Sequence, residues 1–154
     1  MATRVFAAFL GLVLVASVAA GPLGIGAADG PTAEPAADVS LVSAPTETVT
    51  LERGRFGSGR YHLDAAPAVV DVGTVSGDPM VRYVVDVPGL WLTATTRRDL
   101  SDGEGRRSLS VSPVTVSPHR VDQRRYDAIV AVWVREGSRD RAVLQRRVTV
   151  VVER

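Results

Sequence analysis

The chain has 154 residues and no cysteine, so one domain is the default, and a disulfide framework, a thiol nucleophile and a thiolate metal site are excluded. Aromatic residues make up 5% of the sequence, so the core must consist of Val, Ala and Leu, with large side chains only at Tyr61, Tyr83, Tyr126, Trp91, Trp133 and Phe56. The formal charge is +1, and loss of Arg4 with a leader would leave 17 arginines against 17 acids, which argues against a nucleic-acid partner.

The N-terminus has the layout of a secretory signal peptide. Arg4 supplies a positive charge, an apolar run extends from Val5 to Ala20, and small residues that suit a cleavage site follow. The alternative is an uncleaved signal anchor, because no residue from Val5 to Ala28 is charged and about 20 apolar residues can span a bilayer. We therefore assign residues 1–28 to a leader helix that is a signal peptide or a signal anchor, with membrane contact through residues 5–25 if it is retained.

Residues 29–46 are predicted to be a disordered linker, rich in Pro and Ala, between this leader and a folded domain at residues 47–154. Three prolines interrupt the segment and no apolar period is sustained, although Val39 to Val42 could make a short edge strand. In an extended form of about 3.1 Å per residue, the linker would hold an anchored domain some tens of ångströms from a membrane.

From residue 47 onward the apolar residues alternate with the period of β-strands. Strands are predicted around Val49 to Leu51, Ala68 to Val72, Val81 to Val87, Leu90 to Thr95, and Leu109 to Val111, and Tyr61 to Leu63 is either a short strand or the prelude to one. Pro88-Gly89 is a turn, after which Leu90, Leu92 and Ala94 alternate with Trp91. Beyond Pro113 the apolar parity shifts, which indicates a bulge or a change of sheet.

A C-terminal hairpin forms the predicted centre of the domain. Both parities are apolar from Ala128 to Val134, so this strand should be central and covered on both faces, or nearly so. A turn is expected at Glu136-Gly137-Ser138. In the partner strand one parity is apolar except for Arg146, and we expect a bulge near Gln145 to Arg147 that directs Arg146 outward. The residues that share this parity are Ala142, Leu144, Val148, Val150 and Val152.

The strand count, the turn signals and the lack of a long helix predict an all-β fold, a β-sandwich of about seven strands. One helical turn is expected at the start of Ser117 to Arg125, with Ser117 as N-cap and Pro118 at the first position. Asp122 precedes Tyr126 by four residues at the entry to the penultimate strand, a pattern that resembles the tyrosine corner of immunoglobulin-like sandwiches. The resemblance implies an immunoglobulin-like or fibronectin-like module, without the antibody-type disulfide because Ala128 stands at the position of the usual cysteine.

No catalytic, cofactor-binding or metal-ligating residue is predicted, and we expect no enzymatic activity. His62 and His119 are the only histidines, and neither a nucleophile motif nor a zinc spacing accompanies them. The loop from Asp99 to Glu104 holds three carboxylates but departs from calcium-loop spacing and is flanked by arginines, so a solvated hairpin tip is expected.

Four arginine doublets, at residues 97–98, 106–107, 124–125 and 146–147, would bind an anionic polymer if they met on one face, although interspersed acids favour a mixed surface. Any recognition is expected in the loops Arg53 to Arg60, Arg97 to Arg107 and Ser117 to Arg125. The sequence thus predicts an exported module with a binding or structural role at the cell surface. Its expected partners are another envelope protein or an anionic surface polymer, and the alternative function is a membrane-anchored accessory subunit of a larger envelope complex.

Overall fold

The computed structural model describes residues 36–45, 48–54 and 59–153. Within these residues the chain forms ten strands: β1 Ala37–Ser43, β2 Thr48–Arg53, β3 Tyr61–Asp64, β4 Ala68–Val75, β5 Met80–Val87, β6 Leu92–Asp99, β7 Gly105–Leu109, β8 Thr115–Val116, β9 Arg125–Glu136 and β10 Arg139–Glu153. Two 3-10 turns, Pro88–Leu90 and Pro118–Arg120, complete the elements, and these described residues include no α-helix. The predicted leader helix, residues 1–28, lies outside the described residues.

The strands form two sheets, which confirms the prediction of an all-β fold and is consistent with a sandwich. The smaller sheet has the order β1-β4-β7, and the larger, curled sheet has the order β6-β5-β9-β10-β2-β3-β8. Neighbouring strands are antiparallel except for β2 and β10, which run parallel from Thr48 beside Thr149 to Glu52 beside Glu153. Ten strands exceed the expected seven mainly because short edge strands, β8 among them, leave little periodic signal in the sequence.

Strand β1 occupies residues that the sequence analysis placed inside the linker. Ala37–Ser43 pairs with β4 and forms an edge of the smaller sheet, as the alternation around Val39 had suggested for a short edge strand. Ala37 and Val39 are buried in the core. The first part of the linker, residues 29–35, lies outside the described residues.

The core is built from alternating Val, Leu and Ala side chains of both sheets, as the composition required. Strand β5 shows the pattern most clearly, since alternate residues from Val81 to Val87 are fully buried. Tyr83 is enclosed with its hydroxyl donating to the Ala66 carbonyl oxygen at 3.0 Å, and burial raises the pKa of this phenol to about 12. The expectation that both tryptophans fill the core was wrong: Trp91 is exposed and Trp133 is half-buried on the outer face of the larger sheet.

Strand β9 lies between β5 and β10 at the centre of the larger sheet, so the predicted central position is confirmed. Its inner side chains are buried, and on its outer face Ala131 is 4% exposed while Ile129 and Trp133 are half-buried. Arg82 stands directly opposite Trp133 on β5. Arginine stems can cover apolar surface while the guanidinium stays in water, which accounts for the partial cover of this face.

The bulge in β10 lies nearer the hairpin tip than predicted. The register shifts between Ala142 and Leu144, so Ala142 stands opposite Trp133 and Leu144 opposite Val132. The expectation that Ala142 and Leu144 share a face was therefore wrong, because the extra residue between them reverses the side-chain parity. Arg146 keeps the parity of Val148 and is half-buried, so the predicted outward bulge at this residue was wrong too.

Candidate recognition site at one end of the sandwich

Three loops meet at one end of the sandwich. Strand β5 ends there at Val87, strand β9 begins there at Arg125, and strand β2 ends there because it runs parallel to the last part of β10. The loop before β3 touches the loop before β9, since a β-carbon on Gly59 would lie 3.6 Å from Pro118 Cγ. We name this the Trp91 end; it comprises residues 53–54, 59–60, 88–91 and 117–125.

Trp91 is held in an unusual backbone conformation at the tip of the turn after β5. The 3-10 turn Pro88–Leu90 closes with a hydrogen bond from the Trp91 amide to the Pro88 carbonyl oxygen at 3.0 Å, and Leu90 is buried beneath it. Trp91 has φ 48° and ψ 44°, the left-handed region, and is the one non-glycine residue with positive φ in the described part of the chain. Its side chain is 90% exposed. Left-handed backbone costs about 1–2 kcal/mol in a residue with a β-carbon, so exposure and strain coincide here.

Arg120 fastens the strained turn from the neighbouring loop. Its Nη2 donates to the carbonyl oxygen of Leu90 and, at 3.4 Å, to that of Trp91. Arg120 closes the 3-10 turn Pro118–Arg120, with its own amide donating to Ser117 O at 3.0 Å. The predicted helical turn is thus present, with Pro118 at its first position, but no hydrogen bond from the Ser117 side chain caps it.

Tyr126 forms the corner that the sequence pattern predicted. Its hydroxyl accepts hydrogen bonds from the amides of Asp122 at 2.9 Å and Gln123 at 3.0 Å, and it donates to Asp122 Oδ1 at 2.9 Å. The ring also supports the turn after β5, because a β-carbon on Gly89 would lie 3.0 Å from Tyr126 Cδ1. The buried Tyr126 therefore holds both the turn after β5 and the loop before β9, and Arg120 provides a second link between them.

A groove runs from this end onto the outer face of the larger sheet. Its upper part, about 370 Å³, is lined by Pro88, Gly89, Gln123, Arg125, Tyr126 and Asp127. A lower part of about 290 Å³ shares Pro88 and Asp127 and adds Ala128, Ile129 and Arg147. The lining combines apolar surface with an amide, a carboxylate and two guanidinium groups, so it can accept and donate hydrogen bonds.

The structure separates the loops in which recognition was expected. Residues 117–125 and the described parts of 53–60 lie at the Trp91 end, while the Arg97 to Arg107 loop lies at the other end, where the Leu100 amide donates to the Pro79 carbonyl oxygen at 3.0 Å. In that loop Asp99 Oδ1 accepts a hydrogen bond from the Ser101 amide at 2.7 Å, and this bond lowers the pKa of Asp99. No cluster of metal-binding side chains occurs in the described residues.

The arginine doublets do not converge as pairs, although Arg125 and Arg147, one from each of two doublets, line the groove. Three of them lie within strands β6, β7 and β10, where successive side chains point to opposite faces. Within the β7 doublet Arg106 is exposed, whereas Arg107 is half-buried and donates to the Gly103 carbonyl oxygen at 3.1 Å. A doublet in a strand therefore cannot present both charges to one ligand.

The opposite end of the sandwich carries ion pairs, and the half-buried Trp133 lies beside them. We name it the hairpin-tip end; it comprises residues 76–80, 99–104 and 135–141. Asp140 pairs with Arg135 at 2.9 Å and with Arg82 at 3.7 Å, and the Arg135 hydrogen bond lowers the pKa of Asp140. Arg141 pairs with Glu136 at 3.2 Å and also donates to the Ala37 carbonyl oxygen at 2.9 Å.

Sequence reasoning missed Trp91 as a candidate recognition residue. The alternation of Leu90, Leu92 and Ala94 did place Trp91 on the opposite parity, which was the available signal. The left-handed backbone and the clamp from Arg120 depend on a contact across 29 or 30 residues, which no local pattern reveals.

Comparison with known proteins adds no relative to this picture. No protein-family model matches the chain, and no curated protein matches it. Among the described residues, no helix is both long enough and apolar enough to cross a membrane.

Proposed function

We propose that the chain is an exported, immunoglobulin-like β-sandwich with a non-catalytic binding role at the cell surface, and that it recognises its partner with the Trp91 end. The expected partners are those of the sequence analysis, another envelope protein or an anionic surface polymer. Export rests on the leader-like composition of residues 1–28.

The immunoglobulin-like assignment is supported by strand order and by the tyrosine corner. Strands β5, β9 and β10 are adjacent at the centre of the larger sheet, while β4 and β7 pair in the smaller one. This arrangement is similar to the separation of the C, F and G strands from the B and E strands in immunoglobulin-like sandwiches. Tyr126 opens the penultimate strand and bonds to the backbone just upstream, as the corner tyrosine of such domains does.

The observation that carries the binding role is the exposed, strained Trp91. A large aromatic side chain gains free energy by burial, and tryptophan is enriched among the residues that dominate binding interfaces. Here its backbone conformation is unfavourable, and the fold holds it there through Leu90, Arg120 and the Tyr126 ring. When surrounding contacts hold a residue in a strained backbone conformation, the strain points to a function for that residue.

The test is binding of the full chain to isolated envelopes of the cell that produces it. Wild type is expected to bind, and Trp91→Ala should lose at least about tenfold in affinity, the loss that corresponds to about 1.4 kcal/mol. Met80→Ala is the matched control, since Met80 is 37% exposed but lies at the hairpin-tip end. Absence of binding by the wild type, or equal binding by Trp91→Ala, would refute the proposal.

The alternative function is a membrane-anchored accessory subunit of a larger envelope complex. It is motivated by the absence of charge between Val5 and Ala28, which would allow an uncleaved leader to remain in the bilayer. The intact mass of the mature protein separates the two versions. Loss of roughly the first 20 to 28 residues, the size of a signal peptide, would exclude the anchored subunit.

A further inference from the structure

The surroundings of Trp91 restrict the kind of partner it can serve. Among the described residues, the other large hydrophobic side chains with substantial exposure are Val42, on β1, and Met80, at the hairpin-tip end. A membrane-inserting tip needs several apolar side chains together. In a protein interface, the central anchor residue is normally surrounded by further contacts that exclude water. At the Trp91 end the exposed neighbours are Pro88, Gly89 and Pro118 together with polar and charged residues, including His119, Gln123, Arg124 and Arg125.

The groove beside the turn has a lining that suits a ligand with both apolar faces and many hydroxyl groups. Pro88, Gly89 and the edge of Tyr126 provide apolar surface, while Gln123 and Asp127 provide hydrogen-bonding groups. Small-molecule sites typically have an apolar lining with only a few convergent polar groups. The lining of this groove instead carries many polar groups. A pyranose ring presents the matching chemistry, since its C–H faces pack on aromatic rings and its rim carries hydroxyl groups.

Two guanidinium groups give the groove a preference for a negatively charged ligand. Arg125 lines the upper part and Arg147 the lower part, with Asp127 between them as the single carboxylate of the lining. Neither arginine has an ion pair with another described residue. Guanidinium groups bind carboxylates in a bidentate manner, so each arginine can take one carboxylate of an extended chain.

We propose that the Trp91 end and its groove bind an acidic polysaccharide, with Trp91 stacking on one sugar ring and Arg125 and Arg147 binding carboxylates farther along the chain. The inference rests on the proposed function and names its ligand class. Asp127 accepts hydrogen bonds from hydroxyl groups between the two carboxylate positions, which selects against a polymer charged at every position. The fixed turn contributes because the backbone that carries Trp91 loses little further freedom on binding.

The experiment uses the protein-free polysaccharide fraction of the same envelopes, prepared with protease, and the same fraction after its carboxyl groups have been amidated. Wild type should bind the untreated fraction and bind the amidated fraction at least about tenfold more weakly, a loss equivalent to about 1.4 kcal/mol. Trp91→Ala, Arg125→Gln and Arg147→Gln should each weaken binding, whereas Arg97→Gln, outside the groove, should not. In a Trp133→Phe background Trp91 is the one remaining tryptophan, and its fluorescence should change on binding.

Two results would overturn the inference without touching the proposed function. Trp91-dependent binding to intact envelopes that disappears after protease treatment would show a protein partner. Binding to the polysaccharide that survives amidation would show that carboxylates are not recognised. Failure of wild type to bind intact envelopes would instead refute the proposed function itself.

Discussion

The two ends of the sandwich use their polar side chains differently. At the hairpin-tip end charged side chains pair with one another, as Asp140 does with Arg135 and Arg82, and one of them, Arg141, also bonds to the Ala37 carbonyl oxygen. At the Trp91 end polar side chains bond to the backbone, with Arg120 donating to two carbonyl groups and Tyr126 accepting from two amides. Exposed ion pairs contribute little to stability, whereas bonds from a partly buried side chain to the backbone fix the path of a loop.

This difference distinguishes an end with exposed ion pairs from an end at which side-chain bonds to the backbone hold two loops together. The exposed pair of Asp140 with Arg135 can exchange its contacts with water and salt at little cost to the fold. The Trp91 end holds an unfavourable backbone conformation, so every contact that opposes its relaxation should matter for stability or for binding. Four measurements test this contrast between the two ends.

The largest effect is expected for Tyr126→Phe. The change leaves the amides of Asp122 and Gln123 without their acceptor and should lower the free energy of unfolding by about 1–3 kcal/mol. Chemical denaturation measures the loss. Tyr61→Phe is the control, because Tyr61 is buried but its hydroxyl makes no hydrogen bond with another described residue. An unchanged denaturation midpoint for Tyr126→Phe would show that the hydrogen bonds of the Tyr126 hydroxyl do not stabilise this end.

Gly89→Ala should destabilise by about 1–2 kcal/mol, because overpacking a fixed neighbour strains both partners. The new β-carbon would stand 3.0 Å from Tyr126 Cδ1, and the hydroxyl bonds of that tyrosine prevent the ring from retreating. Gly73→Ala is the matched control in urea denaturation. Its β-carbon would lie 3.3 Å from Asp38 Cβ and Oδ2, a wider separation than the 3.0 Å at Gly89. Equal effects of the two changes would mean that the Tyr126 ring is not held in place.

Replacement of Trp91 should separate stability from binding. Trp91→Gly should be more stable than Trp91→Ala by about 1 kcal/mol, because glycine adopts positive φ without strain whereas alanine retains the β-carbon. Both variants should lose envelope binding alike. Denaturation midpoints of the pair provide the measurement, and equal midpoints would show that the left-handed conformation is not maintained in solution.

The smallest effect is expected from acid at the hairpin-tip end. The pKa of Asp140 is lowered in the folded state by its bond to Arg135, so this contribution is present above the unfolded pKa and is lost as pH falls through the folded value. Stability should therefore decline slightly below about pH 4, and less in Asp140→Asn. Added salt should reduce the difference between the two proteins, since exposed pairs are screened. A large loss for Asp140→Asn at neutral pH would contradict the proposed contrast between the ends.

Much of the fold was predictable because half-buried strands carry a period of two. The alternation from Val81 to Val87 and the two apolar parities of β9 located the core and its central strand correctly. The tyrosine corner was predictable for a related reason, since Asp122 and Tyr126 are close in sequence and their contact is local. The predictions that were wrong concern features that depend on contacts between segments distant in sequence.

The bulge in β10 illustrates this limit. Its position is set by register against β9 across the whole hairpin, so residues near Arg146 gave no indication that the extra residue would lie beside Ala142. Trp91 illustrates the same limit at the candidate site. The turn that carries it is held by Arg120, from another loop, and packs against the ring of Tyr126, from strand β9.

The placement of β1 has a practical consequence for every binding measurement. Ala36 accepts a hydrogen bond from the Ser76 amide, and Ala37 accepts one from Arg141, so the folded domain begins at the hairpin-tip end. The final strand instead finishes beside Arg124, whose carbonyl oxygen accepts from the Val152 amide at 3.0 Å. A sensor surface coupled through the N-terminal side of the domain would thus present the groove to the analyte, whereas a tag after the last strand would stand next to it and obstruct large ligands.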